Sequence, residues 1–164
     1  MSYRVAHLFL SLLENIMKIK HIHAHMKSAF NYAECSTAVR LQVGCVIVKD
    51  DRIISIGYNG MPSGWDNECE TSVLWDKGVQ LPSPILKTKP EVLHAESNAI
   101  AKLARSPESG EGATAFITHA PCLDCAKLLY QAGICEVNYC HSYRLTDGID
   151  FLKQCNIKVY QISL

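Results

Sequence analysis

Two short segments carry residue types that bind metal ions and move protons. "LHAESNAI", residues 93–100, places His94 and Glu96 two positions apart, and "APCLDCAKLL", residues 120–129, places Cys122 and Cys125 three apart. Imidazole and thiolate are ligands that zinc prefers, and three such ligands leave a fourth position for water. The two segments together therefore predict an open zinc site.

The elements that must position these residues are two helices. "LHAESNAIAKLAR" is rich in alanine and leucine, and "CLDCAKLLYQAG" ends with Gly133, a residue typical of helix C-termini. His94 opens the first predicted helix, and Cys122 opens the second. Because the N-terminal end of a helix favours negative charge, it lowers the pKa of a cysteine thiol placed there. We therefore expect three ligands at two helix starts, which makes a one-sided site.

Glu96 has a separate predicted role, that of general acid and base beside the ion. A lone C-x-x-C is also typical of a structural zinc half-site or a redox pair, and a lone H-x-E is also typical of helix capping. A structural zinc site, however, has no use for Glu96. H-x-E followed by P-C-x-x-C is the pattern of zinc-dependent nucleobase deaminases, and the combination favours a hydrolytic centre.

The remaining chain predicts an α/β fold. "QVGCVIVKDDRIISIGYNG" alternates β-branched residues around an Asp-Asp turn and predicts a hairpin. Glycines and prolines interrupt residues 59–89, which we predict to be an extended loop with a short helix near residues 72–77. The other predicted elements are helices over 18–35 and 146–155 and strands over 112–120, 134–140 and 157–162. This order predicts a mixed five-stranded sheet with helices on both faces.

Length and composition restrict the class of protein further. The 164 residues predict one domain over 17–164, with residues 1–16 as a loosely attached extension for which disorder is one alternative. Six of the eight cysteines lie in apolar or metal-like contexts, which predicts a reducing, cytoplasmic location. With 16 basic and 16 acidic residues, the zero net charge argues against a polynucleotide partner. The apolar run near the N-terminus is too short to cross a membrane.

Three blocks in order resemble the deoxycytidylate (dCMP) deaminase family of bacteria and their viruses. They are "STAVRLQVGCVIVKDDRIISIGYNGMPSG", "LHAESNAI" and "APCLDCAKLLYQAGI", and the resemblance covers residues 25–162. It implies a cytidine-deaminase-like three-layer α-β-α fold and hydrolysis of dCMP to dUMP and ammonia, which supplies dUMP for dTMP synthesis. It also implies that His94, Cys122 and Cys125 hold Zn²⁺ and that Glu96 shuttles protons. The alternatives are a deaminase of another cytosine nucleoside or nucleotide, or a non-catalytic zinc-binding protein.

The resemblance also implies substrate contacts. Asn59, in "GYNG", would contact the sugar 3′-hydroxyl, although a turn asparagine is the plain alternative. Arginine suits phosphate geometry, but each arginine is equally explained as a solvated surface charge. The phosphate candidates are Ser36, Arg40, Tyr143 and Arg144.

Regulation and assembly are implied only by the resemblance. Such enzymes often form homohexamers that dCTP activates with Mg²⁺ and dTTP inhibits. The effector loop would be Gly57, Tyr58, Asn59 and Gly60, and Arg105 would lie at subunit contacts. Relatives often bind a second zinc in the long loop, but residues 61–93 offer Cys69 and no histidine, so we predict one ion per chain. We expect His21, His23 and His25 to form a solvated helix surface.

Overall fold

The computed structural model describes residues 3–164, with side chains from residue 18 onward. Within those residues the secondary structure comprises four helices and seven strands. In chain order they are α1 (Tyr3–Ala33), β1 (Gly44–Lys49), β2 (Arg52–Tyr58), β3 (Glu70–Asp76), β4 (Val79–Thr88), α2 (Ala95–Leu103), β5 (Thr114–His119), α3 (Leu123–Gln131), β6 (Glu136–His141), α4 (Asp147–Gln154) and β7 (Lys158–Gln161).

The main sheet has the strand order β2-β1-β5-β6-β7. Strand β1 is antiparallel to both β2 and β5, whereas β5, β6 and β7 are parallel. Parallel neighbours need crossover connections, and helices α3 and α4 supply them. The predicted mixed five-stranded sheet is confirmed.

The two faces of the sheet are covered by different helices because successive side chains point to opposite faces. On one face Val46 and Phe116 pack with Met26 of α1. On the other face Ile117 packs in a larger buried cluster with Ala99 of α2 and Leu129 of α3. Helices therefore lie on both faces, which confirms the three-layer arrangement.

Gly57 allows strand β2 to approach helix α2 closely. A Cβ at this position would overlap the carbonyl oxygen of Ala95 and lie 2.6 Å from the backbone nitrogen of Ala99. Glycine is thus required by the close approach of two backbones. Since Ala95 follows His94, this contact determines where the predicted zinc ligand stands relative to the sheet.

The prediction for residues 59–89 was wrong over its second half. Strands β3 and β4 pair as an antiparallel hairpin, and no helix forms near residues 72–77. Lys77 (φ 51°) and Gly78 (φ 82°) make the two-residue turn. The strand pairing is interrupted between Val73 and Trp75. Opposite this interruption lie the prolines that suggested a loop, Pro82 and Pro84.

The hairpin tolerates these prolines because they lie opposite the irregularity of a two-stranded sheet. Proline cannot donate a ladder hydrogen bond, and it is therefore found at bulges and on edge strands. A two-stranded sheet consists of edge strands, so a proline there displaces no third strand.

The histidine-rich part of α1 contacts the turn between β1 and β2. His21 Nδ1 lies 2.6 Å from Asp51 Oδ2, and His25 Nε2 lies 2.7 Å from Asp51 Oδ1. The hydrogen bond with His25, followed by the His21 and His25 charges, lowers the pKa of Asp51. The prediction of a merely solvated surface therefore needs correction for His21 and His25, since the fold places the Asp51 carboxylate against both rings.

The predicted extension over residues 1–16 lies outside the residues whose side chains the structure describes. Helix α1 begins at Tyr3, so its backbone is longer than the predicted helix over 18–35. The division into an extension and a domain over 17–164 stays a prediction. Among the described helices, none combines the length and apolarity that crossing a membrane requires.

Candidate active site and metal centre

His94 stands at the N-terminal cap of helix α2. Its backbone is extended (φ −74°, ψ 154°), and its side chain makes no capping hydrogen bond. The His94 carbonyl accepts from the Asn98 backbone nitrogen at 2.9 Å, so the helix starts immediately after it. The imidazole is therefore held at a helix start without being used to cap it, and it remains available as a ligand.

Cys122 occupies the equivalent place at the start of helix α3. It is the N-cap residue with extended backbone, and Cys125 lies in the first turn. The buried Pro121 connects this helix to the end of β5. A Cβ on Gly148, in α4, would overlap the Pro121 carbonyl oxygen and lie 2.9 Å from Cys122 backbone atoms. Helix α4 thus packs directly against the segment that presents the first thiol.

The three predicted ligands meet. His94 Nδ1 lies 3.5 Å from Cys122 Sγ and 3.3 Å from Cys125 Sγ, and the three ligand atoms lie within 4.8 Å of one another. Tetrahedral zinc, with bonds of about 2.0–2.1 Å to nitrogen and about 2.3 Å to sulfur, separates such atoms by roughly 3.6 Å. The donor set and its spacing therefore fit a zinc ion with one coordination position left open.

The contacts within this cluster shift the pKa values of its two thiols and of its imidazole. Hydrogen bonds from Cys125 and His94 lower the pKa of the Cys122 thiol to about 4. The hydrogen bond to Cys122, together with burial, raises the pKa of Cys125, and contact with Cys122 raises the pKa of His94. These contacts favour the thiolate form of Cys122 and the protonated form of Cys125. A coordinated cation deprotonates thiols outright, so the site is suited to a divalent ion.

Glu96 lies beside this cluster and is 4% exposed. Burial raises its pKa to about 7, against the opposing effects of the backbone and of the His94 charge. The geometry does not include Glu96 among the clustered ligands. A carboxyl with a pKa near neutrality can both accept and donate protons at physiological pH, which is what a general acid and base requires.

A cavity of about 430 Å³ opens over the metal centre. It is lined by His94 and Cys122 of the metal centre, by the buried Glu96, and by the exposed Arg40, Tyr143 and Arg144. Polar and charged groups therefore surround a space of the size that small-molecule sites have.

Of the predicted substrate residues, Ser36 alone does not line this cavity. Ser36 is 5% exposed, and its hydroxyl accepts from the Ala38 backbone nitrogen at 3.2 Å. Its carbonyl accepts from the Gln42 side chain at 2.7 Å. Ser36 thus shapes the segment that leads to Arg40.

Asn59 lines the cavity and also connects two segments. Its Oδ1 accepts from the Val43 backbone nitrogen, and its Nδ2 donates to the Leu41 carbonyl, each at 2.8 Å. These bonds hold the chain between α1 and β1 against the end of β2. The amide keeps one N–H and one lone pair for a ligand, so the predicted sugar contact stays a prediction.

The base of the β3–β4 hairpin positions Arg40. The Glu70 carboxylate accepts from the backbone nitrogens of Val39 and Arg40, both at 3.1 Å. Arg40 Nη1 donates to Thr88 Oγ1 at 2.8 Å. Glu70 and Thr88 are paired residues of the hairpin. The element that was predicted as a loop therefore holds a charged residue of the cavity.

The predicted effector loop packs against helix α2. The Tyr58 carbonyl accepts from Asn98 Nδ2 at 3.0 Å, and its ring lies 5.3 Å from Lys102 Nζ. Gly60 pairs with Leu93, the residue before His94. The loop is thus joined to the metal centre, while Arg105 lies exposed beyond α2. The regulatory role of Gly57, Tyr58, Asn59 and Gly60 and the subunit contact at Arg105 stay predictions.

Among the cavity-lining residues that sequence analysis missed are two histidines, His119 and His141. They end strands β5 and β6, which are adjacent and parallel. The available indication was a histidine at the carboxyl end of each strand, where ligands of α/β sheets commonly bind.

Comparison with known proteins identifies the family. A family model described as the cytidine and deoxycytidylate deaminase zinc-binding region matches residues 19–141. The deoxycytidylate deaminase of Enterobacteria phage T4 is 33% identical over 170 residues, covering 84% of this chain and 87% of the phage protein. The cyanophage S-TIM5 dCMP deaminase, crystallised in complex with dCMP and dUMP, has a TM-score of 0.74 and 42% identity, covering 85% of this chain and 95% of that chain. With His94, Cys122 and Cys125 gathered beside Glu96, the chain therefore belongs to the zinc-dependent cytidine and deoxycytidylate deaminase family.

Proposed function

We propose that this protein hydrolyses dCMP to dUMP and ammonia. The observation that carries the proposal is the buried Glu96 carboxyl, which lies beside a three-ligand metal centre in a cavity that Arg40 and Arg144 also line. The similarity to dCMP deaminases of phage T4 and cyanophage S-TIM5 supports the choice of substrate.

His94, Cys122 and Cys125 would hold the ion. When bound, zinc lowers the pKa of water and so supplies the nucleophile at neutral pH. Glu96 would take one proton from the attacking water and deliver it to N3 of the cytosine ring. It would then take the remaining proton of the oxygen that has bonded to C4 and deliver it to the amine, so that the C4–N bond breaks and ammonia leaves. Burial raises the pKa of Glu96, and this supports the role, because a carboxyl that is less acidic than usual can return a proton that it has taken.

The exposed residues that line the cavity would recognise the nucleotide. Arg40, Tyr143 and Arg144 would contact the 5′-phosphate, since guanidinium groups match phosphate oxygens in geometry and charge. Ser36 would act indirectly by shaping the segment before Arg40. Asn59 would bind the sugar 3′-hydroxyl with the amide hydrogen and lone pair that its backbone contacts leave free.

The proposal extends to regulation and physiological role. The product dUMP would serve dTMP synthesis in the pyrimidine metabolism of the cytoplasm. A homohexamer with Arg105 at its subunit contacts would be activated by dCTP with Mg²⁺ and inhibited by dTTP. The effectors would act at Gly57, Tyr58, Asn59 and Gly60, a segment joined to α2 through Asn98 and to Leu93 through Gly60. Regulation requires that the effectors bind two conformers with unequal affinity.

Turnover measurements on the zinc-loaded protein test the proposal. We expect dCMP to be deaminated with a higher kcat/KM than deoxycytidine, dCTP or an oligonucleotide. Equal rates for deoxycytidine and dCMP would favour a nucleoside deaminase, and no turnover of any cytosine substrate would favour a non-catalytic zinc-binding protein. Adding dCTP with Mg²⁺, or dTTP, tests regulation in the same assay, and a flat velocity response to both would refute it.

A further inference from the structure

His119 and His141 form a pair at the edge of the active-site cavity. They are partners across the parallel strands β5 and β6, so both side chains lie at the carboxyl ends of neighbouring strands. Their ring centroids are 4.9 Å apart, with an angle of 42° between the ring planes. Both rings line the cavity, yet the deamination chemistry proposed for Glu96 requires neither of them.

The two rings are held in place but keep nitrogen atoms free. Thr118 Oγ1 lies 3.0 Å from His119 Nδ1, and the Phe30 ring of α1 packs edge-on against His141 at 5.7 Å. Within the described residues, His119 Nε2 and both His141 nitrogens lack a hydrogen-bond partner. The neighbours therefore orient the rings and leave donors for a ligand.

The charges around the pair favour an anion. Arg40, before β1, and Arg144, after β6, line the same cavity. Glu96, on α2 and buried, is the one carboxylate among the cavity-lining residues in the described part of the chain. Burial lowers the pKa of His119, and the charge of His141 lowers it further. Among the described residues neither ring forms an ion pair with a carboxylate, and a phosphate monoester would supply such an anionic partner.

We propose that the His119–His141 pair binds the 5′-phosphate of the substrate and thereby selects a nucleoside monophosphate over the free nucleoside. This inference rests on the proposed function and adds two binding residues to it. The pair would donate from His119 Nε2 and from His141 to phosphate oxygens, alongside Arg40 and Arg144. Its task is affinity and specificity, so its loss affects KM for the nucleotide and leaves the chemical step intact.

Steady-state kinetics of zinc-loaded His141→Gln and His119→Gln test the inference. We expect each change to raise KM for dCMP about tenfold, the loss of one charge-assisted hydrogen bond, with kcat within about twofold of the original. Activity on deoxycytidine should stay unchanged and reports that the variants are folded. His141→Lys, which supplies a cationic donor, should restore most of the affinity for dCMP. The matched control is His23→Gln, the same change on α1 among residues that do not line the cavity.

The outcomes separate this inference from the proposed function. Failure of the zinc-loaded wild type to turn over dCMP would overturn both. Normal wild-type turnover with an unchanged KM in both glutamine variants would overturn the inference alone. An equal loss on dCMP and deoxycytidine would also overturn it, because the pair would then be structural. Competition by dUMP and by deoxyuridine adds a second measurement, in which the variants should weaken dUMP alone.

Discussion

The metal centre and the β3–β4 hairpin differ in almost every property that makes a region predictable. Glu96 at the centre is 4% exposed, and its neighbours come from two helix starts. Trp75 in the hairpin is 61% exposed, and its strand pairs with one partner strand. The metal centre could be predicted because its residue types recur at short spacings along the chain. The hairpin depends on the pairing of two strands, which the secondary-structure propensities of their residues describe poorly. The hairpin nevertheless serves the same cavity, because its base holds Arg40.

The largest expected effect is at the centre. Glu96→Gln should lower the rate of dCMP deamination at least about a hundredfold, because the amide cannot carry a proton between water and substrate. Zinc content should remain at the wild-type level, since Glu96 lies outside the ligand cluster. Deamination kinetics and metal analysis check both parts.

Glu91→Gln is the matched control for this change. Glu91 is exposed and lies three residues before His94, so the Glu91→Gln variant should deaminate dCMP at the wild-type rate. A loss of zinc in Glu96→Gln would contradict the separation of ligand and proton carrier.

The pH dependence of stability tests the burial of Glu96. In metal-free protein its pKa is raised from 4.5 to about 7 by burial. Between these values the native state keeps a proton that the unfolded state has released, so the free energy of unfolding falls as pH rises through this window. The loss is complete above pH 7 and amounts to about 3 kcal/mol.

Glu96→Gln should remove that loss. Denaturant unfolding of the metal-free proteins should show the variant more stable than wild type at pH 8, with the difference shrinking toward pH 4.5. A difference that is the same at both pH values would show that Glu96 is not buried as an isolated carboxyl.

The close backbone contact at Gly57 holds helix α2, which begins at the metal centre, against strand β2 of the sheet. Gly57→Ala should lower the free energy of unfolding by about 1–3 kcal/mol, because β2 must move away from α2 to admit a methyl group. Gly60→Ala is the control, since a Cβ there meets no atom within 4 Å. Urea unfolding of both variants makes the comparison, and equal losses would contradict the close approach.

The smallest effects belong to the hairpin. Thr88→Val removes the hydrogen bond to Arg40 Nη1, and we expect KM for dCMP to rise about three- to tenfold with kcat retained. Trp75→Ser, at the exposed part of the same hairpin, should leave KM unchanged and stability within about 0.5 kcal/mol. If Trp75→Ser raised KM for dCMP as much as Thr88→Val does, the hairpin would act through its exposed surface rather than through Arg40.

Several parts of the molecule could be predicted because their determinants are local. Alternating apolar residues identified β1 and β2, and the succession of strands and helices implied a mixed five-stranded sheet with helices on both faces. The hairpin could not be predicted, because Pro82 and Pro84 suggest a loop unless their place opposite a pairing irregularity is known. His119 and His141 were missed since each is unremarkable until two strands become neighbours.

The residues that would hold the metal and carry the proton were determined by sequence alone, because a ligand set is a matter of side-chain chemistry at helix starts. Which other groups face the same cavity was decided by the tertiary structure. Arg40 depends on Glu70 and Thr88, and the histidine pair depends on the parallel registry of β5 and β6. Such neighbours are far apart along the chain, and only the packing of the sheet brings their side chains together.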